Sequence, residues 1–168
     1  MRDFIASSEQ IAQFTRMERD STDNRLLLAL QSDAQTTSEK LGQMLDLSAS
    51  QVGRRRQRLE AAGVITGYRA RLDPEALGLG VQAFVQVQMA SHSKETAREF
   101  ATLLDTRREI VAAWTLTGEA DYLLRAYCSD LRELHRLVHD VLLPHHGVAR
   151  VQSQIVMHEP KRDAPLPT

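Results

Sequence analysis

Residues 36–63 read TTSEKLGQMLDLSASQVGRRRQRLEAAG, and this stretch decides the fold. It holds two helix starts. Thr36 with Glu39, and Ser48 with Gln51, have the spacing of a capping box, in which two side chains satisfy free backbone N–H groups reciprocally. After the first start, Leu41, Met44 and Leu45 share one helical face. After the second, Val52 and Leu59 lie seven apart and do the same. Asp46-Leu47 leaves room for a short turn only. Gly63, after Ala61-Ala62, suits the left-handed residue that ends a helix. The spacing predicts two short helices joined by a tight turn.

The second helix carries Arg54, Arg55, Arg56 and Arg58 against one acid, Glu60. A helix of this width enters the B-DNA major groove, where guanidinium groups reach guanine edges and phosphates. Four arginines alone are equally well read as a solvated face. The two caps and the short turn shift the balance to a DNA-binding helix-turn-helix. Toward the N-terminus, Ser21 or Thr22 is the expected cap of a third helix bearing Leu26, Leu27 and Leu30. Ile11, Phe14 and Met17 mark a weaker stripe within an arm that otherwise reads as loose.

The chain has 168 residues, enough for one large or two small domains, and its 42% apolar content is sufficient for packed cores. Its net charge of -1 excludes bulk electrostatic binding, but six arginines and one acid lie between Ser48 and Arg71. The single cysteine, Cys128, has no intramolecular disulfide partner, which fits a reducing cytoplasm. No apolar run approaches the roughly 18 residues of a membrane span, and no secretion signal opens the chain.

After Gly63 the period changes. Residues 64–72 alternate as a strand that Asp73-Pro74 ends, and PEALGLG (residues 74–80) reads as a linker. Val81 to Met89 alternates strictly, with Val81, Ala83, Val85, Val87 and Met89 on one face. A helix over 93–104 carries Ala97, Phe100, Ala101 and Leu104. Strands follow over 110–116 and 121–128, joined by Thr117-Gly118-Glu119-Ala120. Asp130 caps a helix bearing Leu131, Leu134, Leu137, Val138, Val141 and Leu142, and the last strand runs over 148–157. The order strand, helix, strand, strand, helix, strand predicts a ferredoxin-like βαββαβ domain with both helices on one sheet face. Phe84, Gln86, Gln88, Leu123, Arg125 and Tyr127 fall on the other face, a surface suited to a second subunit.

Three segments in series resemble the Lrp/AsnC family of bacterial and archaeal transcription regulators, also called feast/famine regulatory proteins. They are LSASQVGRRRQRLEAAGVITGYRARLDPEALGLG (residues 47–80), TGEADYLLRA (117–126) and LLPHHGVARVQSQIVMHEPKR (142–162). The resemblance implies an α+β chain: an N-terminal winged helix-turn-helix domain, a hinge strand, and a ferredoxin-like ligand-sensing domain. On this reading residues 1–20 are an N-terminal arm, 21–63 the DNA-binding domain and 64–80 the hinge strand and linker. Residues 81–158 are the effector-binding and oligomerisation domain, and 159–168 a flexible tail. Members are homodimers that often assemble further, commonly to octamers, and many bind an amino acid between sensing domains.

The resemblance places the DNA contacts on Ser48, Ser50, Gln51, Arg54, Arg55 and Arg58, with Arg58 directed to phosphate. Gln51 has a competing task as capping partner of Ser48. Arg56 stands where many members have an inward-packed valine or isoleucine. The effector site falls on Thr117, Gly118, Glu119 and Asp121, with Ser153 on the last strand. Where the family often has Gly-Asp-aromatic-Asp, this chain has Gly118, Glu119, Ala120 and Asp121. Where it often has two threonines, this chain has Val151 and Ser153. Backbone N–H groups of a glycine turn receive a carboxylate and an acidic side chain receives an ammonium, so an amino acid fits.

His135 and His139, one helical turn apart, and His145-His146 beyond them form no metalloprotease motif and read as a polar helix face and turn. No catalytic residues, metal or cofactor are expected. The chain reads as a cytoplasmic regulator that binds double-stranded DNA as a homo-oligomer and responds to a small effector. The alternatives are an architectural DNA binder without effector and a ferredoxin-like metal-dependent enzyme.

Overall fold

The computed structural model describes residues 19–168, which fall into two compact units. The expected Ile11, Phe14 and Met17 stripe lies outside the described residues. The first unit is built on three helices: α1 (Ser21–Ser32), α2 (Ser38–Leu45) and α3 (Ala49–Ala61). Their core is Leu26, Leu27, Leu30, Leu41, Leu45, Val52 and Leu59, with Val64 and Ile65 packed against it.

Two caps sit a residue or two away from their expected places. Asp20, not Ser21 or Thr22, caps α1, in a capping box with Asp23. A carboxylate is the stronger acceptor for helix N–H groups, and it suits the positive end of the helix dipole. Thr37, not Thr36, caps α2. Thr36 is turned inward, and its hydroxyl donates to the Asp33 carboxylate at 3.0 Å, closing the α1–α2 loop. The Ser48–Gln51 box on α3 is formed as expected.

The turn between α2 and α3 is tight because Gly42 has no side chain. A Cβ there would sit 2.5 Å from the Leu47 carbonyl oxygen, and the Leu47 N–H donates to the Gly42 carbonyl at 2.9 Å. Asp46 supplies the left-handed residue at φ 58°. Gly63 ends α3 at φ 69°, as its position after the two alanines predicts.

The expected hinge strand over residues 64–72 is not formed, and no strand lies between Gly63 and Val81. A strand needs a ladder partner for its N–H and C=O groups, and the chain offers none. Val64 and Ile65 are drawn instead onto the helical core.

The second unit is a four-stranded antiparallel sheet, β1 (Val81–Met89), β2 (Ile110–Thr115), β3 (Tyr122–Cys128) and β4 (Val148–Ile155), in the order β2-β3-β1-β4. α4 (Lys94–Asp105) and α5 (Leu131–Arg136) supply the helices. One face packs Ala83, Val85, Val87, Leu124, Ala126 and Cys128 against Phe100, Leu104, Leu134, Leu137 and Leu142. The other face carries Phe84 opposite Arg125, Gln86 opposite Leu123 and Gln82 opposite Tyr127. These are the residues that the alternating pattern placed there.

The second helix of this unit changes type. α5 passes into a π-helical segment, Leu137–Leu142, where the Leu143 N–H reaches back to the Val138 carbonyl at 2.9 Å. Leu134, Val138 and Leu142 recur at intervals of four, and all are buried. At 3.6 residues per turn such a series drifts slowly around an α-helix while staying on one broad face, and the wider π turn takes up that drift.

Candidate nucleic-acid interface and effector turn

α3 is anchored by its arginines before any partner arrives. The Arg55 guanidinium donates to Asp20 and to Asp23, each at 2.7 Å, and Arg58 donates to Asp23 at 2.6 Å. Asp23 is fully buried, so its carboxylate is the point through which α1 and α3 are joined. The Asp23 N–H and, after it, the Arg55 guanidinium hold the Asp20 carboxyl below its ordinary pKa. Asp20 and Asp23 in turn raise that of Arg55. Arg56 does not pack inward as its family position implies. Its Nε donates to the Tyr68 hydroxyl at 2.7 Å and to Glu60 at 3.2 Å, and Tyr68 itself donates to Glu60 at 2.7 Å.

Ser48 and Gln51 are also engaged. The Ser48 N–H donates to the Gln51 carboxamide oxygen at 2.8 Å, and the Gln51 N–H to the Ser48 hydroxyl at 3.3 Å. Ser50 is exposed, its hydroxyl 3.2 Å from that of Ser48. Arg54 is exposed and makes no hydrogen bond or ion pair among the described residues. At 100° per residue, Ser50, Arg54 and Gln57 share one stripe, opposite the buried Val52 and Leu59. Of the six residues expected at DNA, the structure exposes Ser50 and Arg54 on the outer stripe, Arg54 without a partner among the described residues. It engages Ser48 and Gln51 in the cap, and Arg55 and Arg58 in the Asp23 cluster. Gln57 joins the stripe, and its i, i+3 spacing from Arg54 was the signal for it.

In the second unit, residues 116–121 connect β2 to β3, with Gly118 at φ 123°. Asp121 is held by main chain. Its carboxylate accepts from the Met89 N–H at 2.7 Å, its N–H donates to the Val87 carbonyl at 3.0 Å, and His92 lies 3.5 Å from it. Glu119 projects from the turn, 3.9 Å from the Arg150 guanidinium. These two residues, with Gln86, Gln88, Ala120 and Gln152, line a small polar pocket. Gln86 pairs with Gln152 and Gln88 with Arg150, which puts the pocket on the sheet face away from the helices.

Ser153 is opposite Val85, on the other side of the sheet, and Val151 packs against the core. The structure therefore brings Glu119 together with Arg150 and three glutamines, and leaves Ser153 apart. Arg150 escaped the sequence reading, although it alternates in phase with Gln152 along β4. His135 and His139 stack with centroids 4.3 Å apart, and no third ligand joins them among the described residues. Cys128 is buried, and burial pushes its thiol up to about 11, which leaves it unreactive. No helix among the described residues is long and apolar enough to cross a membrane.

A helix-turn-helix whose outer stripe carries the exposed Arg54, followed by a ferredoxin-like unit with a polar pocket at a sheet turn, defines a two-domain DNA-binding regulator. Comparison with known proteins agrees with this class. The AsnC-type helix-turn-helix domain matches residues 20–60, and the Lrp/AsnC ligand binding domain matches residues 82–166. The chain is 32% identical over 148 residues to the DNA-binding transcriptional activator DecR of Escherichia coli K12, covering 88% of this chain and 97% of that protein. It is 32% identical over 146 residues to the leucine-responsive regulatory protein of Rhizobium meliloti, covering 87% and 94%. A transcriptional regulator from Neisseria meningitidis, solved as its complex with L-Met, superposes with a TM-score of 0.85 at 38% identity, covering 89% of this chain and 97% of that one. The chain belongs to the Lrp/AsnC family. It is a DNA-binding transcriptional regulator and not an enzyme.

Proposed function

We propose that this regulator reads its operator with the outer stripe of α3 and couples DNA binding to an amino acid held at the β2–β3 turn. Ser50, Arg54 and Gln57 face the bases, with Arg54 the principal reader, because an arginine with no partner among the described residues keeps both guanidinium edges for guanine. Arg58, half-exposed beside the Asp23 cluster, lends its remaining donors to phosphate. Ser48, Gln51 and Arg55 set the pose of the helix.

At the effector turn, Glu119 receives the ammonium and Arg150 the carboxylate of a zwitterion. The Thr117-Gly118 backbone frames the site, and Asp121 fixes the turn to β1. The observation that carries this reading is the loose Glu119–Arg150 pair at the mouth of a polar pocket, in a fold whose Neisseria relative was solved with L-Met. The open sheet face, with Phe84, Leu123 and Tyr127 only partly covered, receives a second copy of the chain in a homodimer that can assemble further. The cytoplasm is where such a regulator meets DNA.

The deciding experiment is fluorescence anisotropy on the upstream region of the protein's own gene, at several salt concentrations, with and without a pool of amino acids. Specific, salt-sensitive binding that shifts with the pool is expected, and loss of the shift in Glu119→Gln and Arg150→Gln ties it to the turn. Specific binding that no amino acid moves would instead support the architectural reading, which Val151 in place of a hydroxyl favours.

A further inference from the structure

Away from both sites, the fold gathers three metal-binding side chains that are distant in sequence. Glu99 lies on α4, and His145 and His146 lie between the π-helical segment and β4. One ligand atom from each falls within 4.8 Å of the other two. The His146 Nε2 is 3.2 Å from a Glu99 carboxylate oxygen. His145 is fixed by its surroundings: its ring meets Phe100 edge-on at 5.4 Å between centroids, and its Nδ1 accepts from the Gly147 N–H at 3.1 Å. The two imidazoles lie nearly parallel, 4.8 Å apart.

We propose that Glu99, His145 and His146 form a binding site for a divalent transition-metal ion. Two imidazoles and one carboxylate suit zinc-type ions, whereas calcium and magnesium call for oxygen ligands. Glu99 and His146 are largely exposed, so water completes the coordination sphere and the ion has an open route in. The ion must displace two existing contacts. It replaces the Glu99–His146 pair, and it claims a lone pair on His145. With Nδ1 accepting from Gly147, the neutral ring carries its proton on Nε2. The ring therefore either turns Nδ1 to the ion or moves that proton to Nδ1 and binds through Nε2. Both routes give up the Gly147 hydrogen bond, so the site belongs to the exchangeable class rather than the permanently loaded structural class. Its ligands come from α4 and from the segment entering β4, and a bound ion staples these two elements together.

The test uses full-length, tag-free protein titrated with Zn²⁺ by calorimetry and with Co²⁺ by visible absorbance. One ion per chain is expected, with a rise in melting temperature on Zn²⁺ addition. Affinity should fall more than about tenfold in His146→Ala and in Glu99→Gln, while operator binding without metal stays unchanged. Both side chains are exposed, so neither substitution threatens folding. His135→Ala/His139→Ala is the internal control and should bind as the parent does. Absence of binding in the parent overturns the site. So does binding that survives His146→Ala and Glu99→Gln, or that is lost in the His135→Ala/His139→Ala control.

Discussion

Arg54 and Arg55 are adjacent in sequence and opposite in role. Arg55 binds two carboxylates inside its own domain, and Arg54 binds none among the described residues. Arg54→Ala should therefore cost about 1–3 kcal/mol of operator affinity with the melting temperature unchanged. Asp23→Ala should do the reverse at its source. It removes the buried acceptor of Arg55 and Arg58 and destabilises the helical domain by about 1.5–3 kcal/mol, read by chemical denaturation. Equal effects of the two substitutions on stability would remove the distinction between a reading and an anchoring arginine. Gly42→Ala presses a methyl group onto the Leu47 carbonyl, a backbone atom that cannot swing away, and should cost about 1–3 kcal/mol in the same assay.

Asp20 gives the anchoring cluster a pH signature. Its folded-state pKa lies below the ordinary value of 3.8, because the Asp23 N–H and the Arg55 guanidinium favour the charged carboxylate. An unfolded chain binds that proton first as pH falls. The stabilisation is therefore complete above about pH 4 and is lost as pH drops through the lower folded value. Asp20→Asn, followed by circular dichroism across an acid series, should show a shallower loss of helical-domain stability below pH 4. An unaltered acid limb would mean that another carboxylate governs it.

At the scale of elements, legibility followed the source of the information. Helices with their own caps and apolar stripes were readable, because the signals lie within four residues of each other. So was the face assignment of β1 and β3, because a strict alternation fixes which side chains meet Phe100 and Leu134. The hinge strand is not formed within one chain, because alternation records a capacity for pairing and not the presence of a partner. The π-helical segment was missed because Leu134, Val138 and Leu142 fit an α-helical stripe over so short a span. At the β2–β3 turn, the position of the connection was legible and the division of labour within it was not. That Asp121 serves the Met89 N–H, while Glu119 faces Arg150, depends on where β1 and β4 pass in space. Competition binding with Asp121→Asn checks this division. The substitution should weaken the fold of the turn and lower stability more than it lowers effector selectivity.

At the scale of the molecule, each unit has a closed core of its own. The second unit leaves a sheet face uncovered, on which Trp114, Leu123 and Tyr127 remain accessible or partly so. Light scattering behind size exclusion should report a dimer or a higher assembly, and Tyr127→Glu should shift it toward smaller species. A monomer in the parent would return the open face to solvent.

The C-terminal residues 161–168 are counted with the helical unit and not with the sheet that precedes them. The Gln31 carboxamide clasps the Leu166 backbone on both sides, donating at 3.2 Å and accepting at 2.6 Å, and the Thr168 hydroxyl donates to the Asn24 carbonyl at 3.4 Å. A purification handle or fluorescent fusion placed after Thr168 is thus joined beside α1, the helix that supplies Asp23 to α3. A dye at that position reports on the DNA-binding unit, although the sequence that leads to it leaves from the sensing unit.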